Sequence, residues 1–172
     1  MSEITLPYNF NPREYQIPLL KALDNGYKRA VAVWHRRAGK DLVMINYIAK
    51  RMYERVGAYY YFFPTYSQSK KVIWDGMTRD GEKFTNAFPV QLRKRTDNGE
   101  MLIEMNNGSI FRLIGTDKID AVMGSNPVGC VFQSGHYRIR LLGTMLDQSL
   151  LKMVVGQHLF TRPEVRITGI RF

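Results

Sequence analysis

Eight consecutive residues carry the clearest chemistry in this sequence: Trp34-His35-Arg36-Arg37-Ala38-Gly39-Lys40-Asp41. They sit between an apolar run, Arg29–Trp34, and a segment with Leu42, Ile45, Ile48 and Met52 at helical spacing. A tight turn that enters a helix aims several backbone N–H groups at one point, and the helix dipole adds positive potential there. Gly39 lets the backbone approach a ligand closely. Lys40 can reach terminal phosphates, as the lysine of a GxxxxGK[ST] loop does. Two features depart from that pattern: its first glycine is absent, and Asp41 stands where a Ser or Thr hydroxyl would meet Mg2+. A basic surface turn is the alternative, since Gly-Lys pairs are common; the strand–turn–helix setting favours phosphate binding.

The rest of the chain supplies elements to position such a loop. Pro12 can open a helix with Tyr15, Leu19, Leu20 and Leu23 on its apolar face, ending near Gly26. RAVAVW reads as a buried strand, the segment from Leu42 to about Arg55 as a helix stopped by Gly57, and Ala58–Phe63 (AYYYFF) as a second strand closed by Pro64. The spacing of Val72, Ile73 and Met77 predicts a helix over 67–78. Asn106-Asn107-Gly108 predicts a hairpin between Met101–Glu104 and Ser109–Ile114. Lys118–Met123 reads as a short helix and Val128–Phe132 as another buried strand. Strands alternating with helices imply an α/β domain with a mainly parallel sheet.

Strand-WHRRAGKD-helix resembles the variant Walker A segment of phage terminase large subunits, the motor ATPases that package DNA. That resemblance implies an ATP phosphate site at His35, Arg36, Arg37, Ala38, Gly39, Lys40 and Asp41, with Asp41 holding Mg2+ directly or through water. Arg36 and Arg37 would neutralise charge on the γ-phosphate. Phe10–Gln16 (FNPREYQ) resembles the adenine-recognition segment of these motors. Gln16, whose amide both donates and accepts, is the candidate for the adenine edge; Tyr15 would stack on the base or serve the core. Pro64–Gln68 (PTYSQ) resembles a family segment near DNA or nucleotide, and Gly115–Gly124 the stretch before Walker B. Asp117 and Asp120 read as turn and cap residues rather than ligands. Arg93-Lys94-Arg95 reads as a solvated hairpin edge rather than a phosphate contact. Tyr59–Tyr61 and Trp74 read as core or interface residues.

The resemblance covers residues 10–132 and then stops. After Val128–Phe132 such a motor carries an acidic residue and then a catalytic Glu that polarises the attacking water. This chain has Gln133-Ser134, so no catalytic residue can be named; Glu100 and Glu104 are the nearest substitutes and lie in the predicted hairpin. A divergent motor is one explanation. The other comes from the codons. If Phe132-Gln133-Ser134 is written TTT-CAG-AGC, the neighbouring frame reads Ser-Glu, and permitted codons carry that frame on to a TPRGxNH stretch resembling the family's coupling motif. Residues 1–132 are then the N-terminal part of an ATPase domain, and 133–172 a non-homologous, out-of-frame tail. In that tail Leu141, Leu142, Met145, Leu146, Leu150, Leu151 and Met153 could form a fortuitous amphipathic helix, and His136 and His158 are accidental.

Bulk properties agree with this reading. The net charge is +10, which suits a polyanionic partner. The last 40 residues hold six basic against two acidic side chains, a disproportion the frame change explains. Cys130 is the only cysteine, which leaves no disulfide framework or cysteine metal site. No apolar run is long enough to span a membrane, and the first residues do not form a secretory signal. The expected setting is the bacterial host cytoplasm. By resemblance the cofactors are ATP and Mg2+. The partners would be double-stranded DNA, a small terminase subunit, the procapsid portal and further copies in a ring. The rival reading is a non-enzymatic protein that binds nucleic acid or a partner on a P-loop-like fold.

Overall fold

A computed structural model describes residues 10–35, 37–117, 122, 124–133, 151–157 and 164–166; for the last two stretches it describes backbone pairing alone. Its frame is an eight-stranded sheet in the order β3-β4-β5-β2-β6-β7-β1-β8. The strands are β1 (Arg29–Trp34), β2 (Ala58–Phe63), β3 (Arg93–Asp97), β4 (Leu102–Met105), β5 (Ile110–Gly115), β6 (Gly129–Gln133), β7 (Leu151–Gln157) and β8 (Glu164–Arg166). The central run β5-β2-β6-β7-β1 is parallel, while β3, β4 and β8 are antiparallel to their neighbours. The helices are α1 (Ile17–Asp24), α2 (Lys40–Glu54) and α3 (Tyr66–Ser69). This is the expected α/β architecture: a mainly parallel sheet flanked by helices.

β2 shows why the sheet is parallel and covered on both faces. Every residue from Tyr59 to Phe63 is buried, as an interior parallel strand requires. Tyr59, Tyr61 and Phe63 enter the main core with Val43, Met44 and Met52 of α2. Tyr60 and Phe62 point the other way, into a smaller cluster with Ile114, Cys130 and Phe132. Phe62 and Phe132 stack at 4.8 Å between centroids. Cys130 is buried and free of any disulfide, and Tyr59–Tyr61 and Trp74 are core residues as expected.

Several expectations need correction. The first helix does not begin at Pro12: Glu14–Gln16 is a 3-10 turn, and α1 starts at Ile17 with Pro18 in its first turn, where the missing N–H costs nothing. The helix expected over 67–78 is short. Thr65 caps α3 by accepting from the Gln68 N–H at 3.2 Å, and the chain then widens into a π turn over Lys70–Trp74 and stops. Ile73 is buried, but Val72 and Met77 are exposed, so the three do not share a core face. The hairpin about Asn106-Asn107-Gly108 is present, with Gly108 at φ +89. Its outer neighbour β3 was legible only as a basic run, and it is the solvated edge of the sheet. Lys118–Met123 falls largely outside the described residues.

The largest departure lies beyond Phe132. β7 is not peripheral: it fills the gap between β6 and β1, pairing Phe132 with Val154 and Ala32 with Val155. Leu151 and Met153 therefore belong to a strand, not to the amphipathic helix; Leu141, Leu142, Met145, Leu146 and Leu150, like His136 and His158, lie outside the described residues. The physical reason is that β6 and β1 would otherwise present two unpaired backbone edges at the sheet's centre. Backbone pairing is blind to side-chain identity, so a mostly apolar run such as Leu151–Val155, ending in two β-branched valines, can satisfy both.

Candidate functional site

The C-terminal ends of parallel strands are where open α/β sheets place ligands, and the Trp34–Asp41 loop and Gln133 both lie at that edge. The loop's shape comes from two left-handed residues, Arg37 at φ +66 and Gly39 at φ +71. Glycine adopts that region freely; arginine does so at a cost of about 1 kcal/mol or more, which the surroundings must hold in place. Ala38 between them is fully buried. Its N–H donates to the His35 carbonyl at 3.3 Å.

Its carbonyl is held from the other side by the N-terminal turn. The Tyr15 hydroxyl donates to it at 2.8 Å and the Gln16 amide nitrogen at 2.9 Å. Arg13 donates through its guanidinium to the Tyr15 hydroxyl and through its backbone N–H to the Gln16 side-chain oxygen. A Cβ on Gly39 would come within 3.2 Å of the Gln16 amide nitrogen, so both the left-handed backbone and the close approach favour glycine here. Tyr15 and Gln16 thus fasten the loop after β1. Gln16 is 2% exposed and keeps one amide hydrogen for another partner. Tyr15 also meets Trp34 edge-on at 5.7 Å, so its ring serves the core.

α2 begins at Lys40 and its first internal bond joins the Val43 N–H to the Gly39 carbonyl. The N–H groups of Lys40, Asp41 and Leu42 therefore lie in the first turn, which has no intrahelical carbonyls to pair with, at the positive end of a 15-residue helix. Lys40 is buried. His35 and Arg37 are exposed, and Arg36 lies outside the described residues.

Asp41 sits where the strands converge. Its carboxylate accepts from the Tyr61 hydroxyl at 2.7 Å and from the Gln133 amide at 3.3 and 3.5 Å. Burial pushes the Asp41 carboxyl above the ordinary carboxylate range, opposed by the Tyr61 bond, the Lys40 charge and the Gln133 bond. Burial, together with the Asp41 charge and hydrogen bond, pushes the Tyr61 phenol well up. The Gln133 contact was not foreseeable from spacing, since 92 residues separate it from Asp41.

Because the folded chain holds the Asp41 proton more tightly than the unfolded chain, stability rises as pH falls through the folded value and is reduced at neutral pH. Without Mg2+, Asp41→Asn is therefore expected to raise the thermal midpoint at pH 7. The rise is roughly 2–4 °C for each ~1 kcal/mol of relief in a chain of this size. Thermal unfolding across a pH series should show the difference shrinking toward acid, and a lower midpoint for the variant at pH 7 would contradict this account.

The donor set suits Mg2+ in one way. A magnesium ion is commonly held by one or two carboxylates together with substrate phosphates, and Asp41 offers one carboxylate beside the helix start. No cluster of three or more His, Cys, Asp or Glu exists among the described residues. The possible substitutes for a catalytic Glu are committed elsewhere: Glu104 pairs with Lys94 and Glu100 with Arg112. Asp117 accepts from the Tyr66 N–H, a turn role as expected, while Asp120 lies outside the described residues. Among the described residues no helix is long and apolar enough to cross a membrane.

No family model matches the chain, and no curated protein matches it. Among solved structures it is similar to the ATPase domain of the large terminase of Thermus phage P74-26. An arginine-to-alanine mutant of that domain gives a TM-score of 0.63 at 14% sequence identity, over 86% of this chain and 65% of that one. A second structure of the domain gives 0.58 at 14% identity, over 86% of this chain and 70% of that one. The match extends past Phe132, since residues 1–132 alone could not supply 86% of the chain. The chain spans 65% of the length of the first of these domains. At this identity the likeness is one of fold: the architecture is that of a phage large-terminase ATPase domain.

Proposed function

We propose that this chain is the ATP-binding part of a phage or prophage terminase large subunit. In intact form such a subunit hydrolyses ATP to drive DNA into a procapsid, with a small terminase subunit, a portal and further copies in a ring as partners in the host cytoplasm. The observation that carries the reading is the loop after β1, where two left-handed residues, a buried lysine and the first turn of α2 converge. Lys40 and the first-turn amides would hold the phosphates, and Asp41 would hold Mg2+, which when bound screens phosphate charge. Gln16's remaining amide hydrogen is available for an adenine ring nitrogen. Arg36 and Arg37 lie on the loop that would face the γ-phosphate. Saturable binding of a fluorescent ATP analogue in Mg2+, displaced by ATP, is the test. Its absence, with salt-dependent DNA binding retained, would favour a non-enzymatic nucleic-acid-binding protein instead.

Residues 133–172 belong to this proposal as the product of a changed reading frame. The support is local: an amide, Gln133, sits on Asp41 where the resemblance calls for a carboxylate, and the neighbouring frame restores Ser-Glu there. The gene's nucleotide sequence across codons 128–172 is expected to carry, one base out of step, Ser-Glu followed by a TPRGxNH stretch. A shifted frame that breaks into stop codons, or that lacks that glutamate, would refute it.

A further inference from the structure

At the sheet's opposite end, six strand steps from β1 and roughly 30 Å away at ~4.8 Å per step, the edge strand β3 and the π turn line an open cavity. Its volume is about 550 Å³, and its walls carry three cations, Lys70, Lys83 and Arg93, against one carboxylate, Asp75. Arg93 is half-buried, and its guanidinium donates to the Phe88 carbonyl at 2.8 Å and the Thr85 carbonyl at 2.7 Å. Carbonyls orient that charge without neutralising it. Among the described residues, none of the three cations is ion-paired. Their neighbours on the same strand behave differently, for Lys94 pairs with Glu104 and Arg95 with Asp97. On β3, then, the two exposed basic residues have carboxylate partners, while the half-buried Arg93 that lines the cavity has none among the described residues.

The remaining lining fits an oxyanion. Trp74 is buried and donates its indole N–H to the Asn98 side-chain oxygen at 3.0 Å, which leaves the Asn98 amide nitrogen as a donor. The π turn that places Lys70 and Trp74 is a distortion more often kept at functional sites than elsewhere. A guanidinium fixed in a planar orientation, two ammonium groups and an amide donor match a phosphate better than a single-charged carboxylate. We propose that this cavity is a second phosphate-binding site, separate from the loop after β1, taking a phosphate from a nucleic-acid backbone or from a small phosphorylated ligand. It does not rest on the nucleotide reading of that loop.

The experiment compares the 172-residue chain with Lys70→Glu/Lys83→Glu and, separately, Lys40→Ala, using a fluorescent duplex oligonucleotide and orthophosphate as probes. For a backbone phosphate, the double variant is expected to lose at least ~10-fold in oligonucleotide affinity and about two units of salt slope. It keeps ATP-analogue binding, while Lys40→Ala shows the reverse pattern. For a small ligand, orthophosphate protects the 83–98 backbone from hydrogen exchange in the parent chain and oligonucleotide affinity does not change. Unchanged oligonucleotide affinity together with no orthophosphate protection overturns the proposal. If the double variant fails to fold, Lys83→Gln and the protection experiment on the parent chain decide the matter.

Discussion

Lys40→Ala is expected to weaken ATP–Mg2+ binding by ~100-fold or more. A charge-assisted hydrogen bond contributes about 1.5–3 kcal/mol, and a lysine reaching two phosphates makes two of them, so ~3 kcal/mol, or two orders of magnitude, is the lower bound. A second effect adds to the first. Lys40 is one of the influences that favour ionised Asp41 against its burial, so its removal pushes the Asp41 carboxyl further up and weakens its hold on Mg2+. The unliganded loop should keep its anchor, because Tyr15 and Gln16 hold the Ala38 carbonyl with bonds that the substitution leaves in place. The measurement is the thermal midpoint with and without ATP–Mg2+. The parent should rise with ligand concentration as mass action requires, and the variant should not. A variant that keeps the parent's ligand-induced rise would remove the loop from the proposed site.

What the sequence made legible, and what it hid, divides along physical lines. β1 and β2 were read with their observed ends because interior parallel strands are continuous apolar runs, Arg29–Trp34 and Ala58–Phe63. The turn between β1 and α2 was legible because a short polar stretch separates two apolar segments of different period. Long-range contacts were not legible. Nothing in the spacing of Tyr15, Gln16 and Ala38 announces that two side chains converge on one carbonyl, or that the Gln16 oxygen accepts from the Arg13 N–H while its amide nitrogen donates to Ala38. Asp41 and Gln133 meet only because β6 lies beside β2.

Period-based reading failed where the backbone changed its period. Val72 and Met77 fit a helix of 3.6 residues per turn, but the π turn rotates Val72 outward and the chain leaves the helix at Asp75. β7 was hidden for another reason. Leu151 and Met153 fit a helical stripe as well as a strand, and short apolar runs do not separate the two by periodicity. The vacancy between β6 and β1 decided the matter, and that vacancy is a property of the whole sheet rather than of the segment.

The second large effect is on turnover. The chain is expected to hydrolyse ATP at ~0.1 s⁻¹ or less, because loss of a general base costs at least ~10²-fold against an ordinary rate of ~10 s⁻¹. At the end of β6 stands Gln133, whose amide cannot take a proton from water at neutral pH and instead donates to Asp41. The hydrogen bond also uses part of the lone carboxylate that Mg2+ would need. Glu100 and Glu104 cannot substitute, since each is ion-paired on the β3–β5 side of the sheet. Ser134→Glu introduces a carboxylate at the position where the neighbouring frame encodes one, and it should raise turnover above the parent. Adding Lys40→Ala to that variant should abolish the gain. Steady-state phosphate release distinguishes the cases. If the unaltered chain turned over like a working motor, and lost that activity on Lys40→Ala, a base elsewhere in the fold would have to replace the missing glutamate, and the changed-frame account of residues 133–172 would lose its functional support.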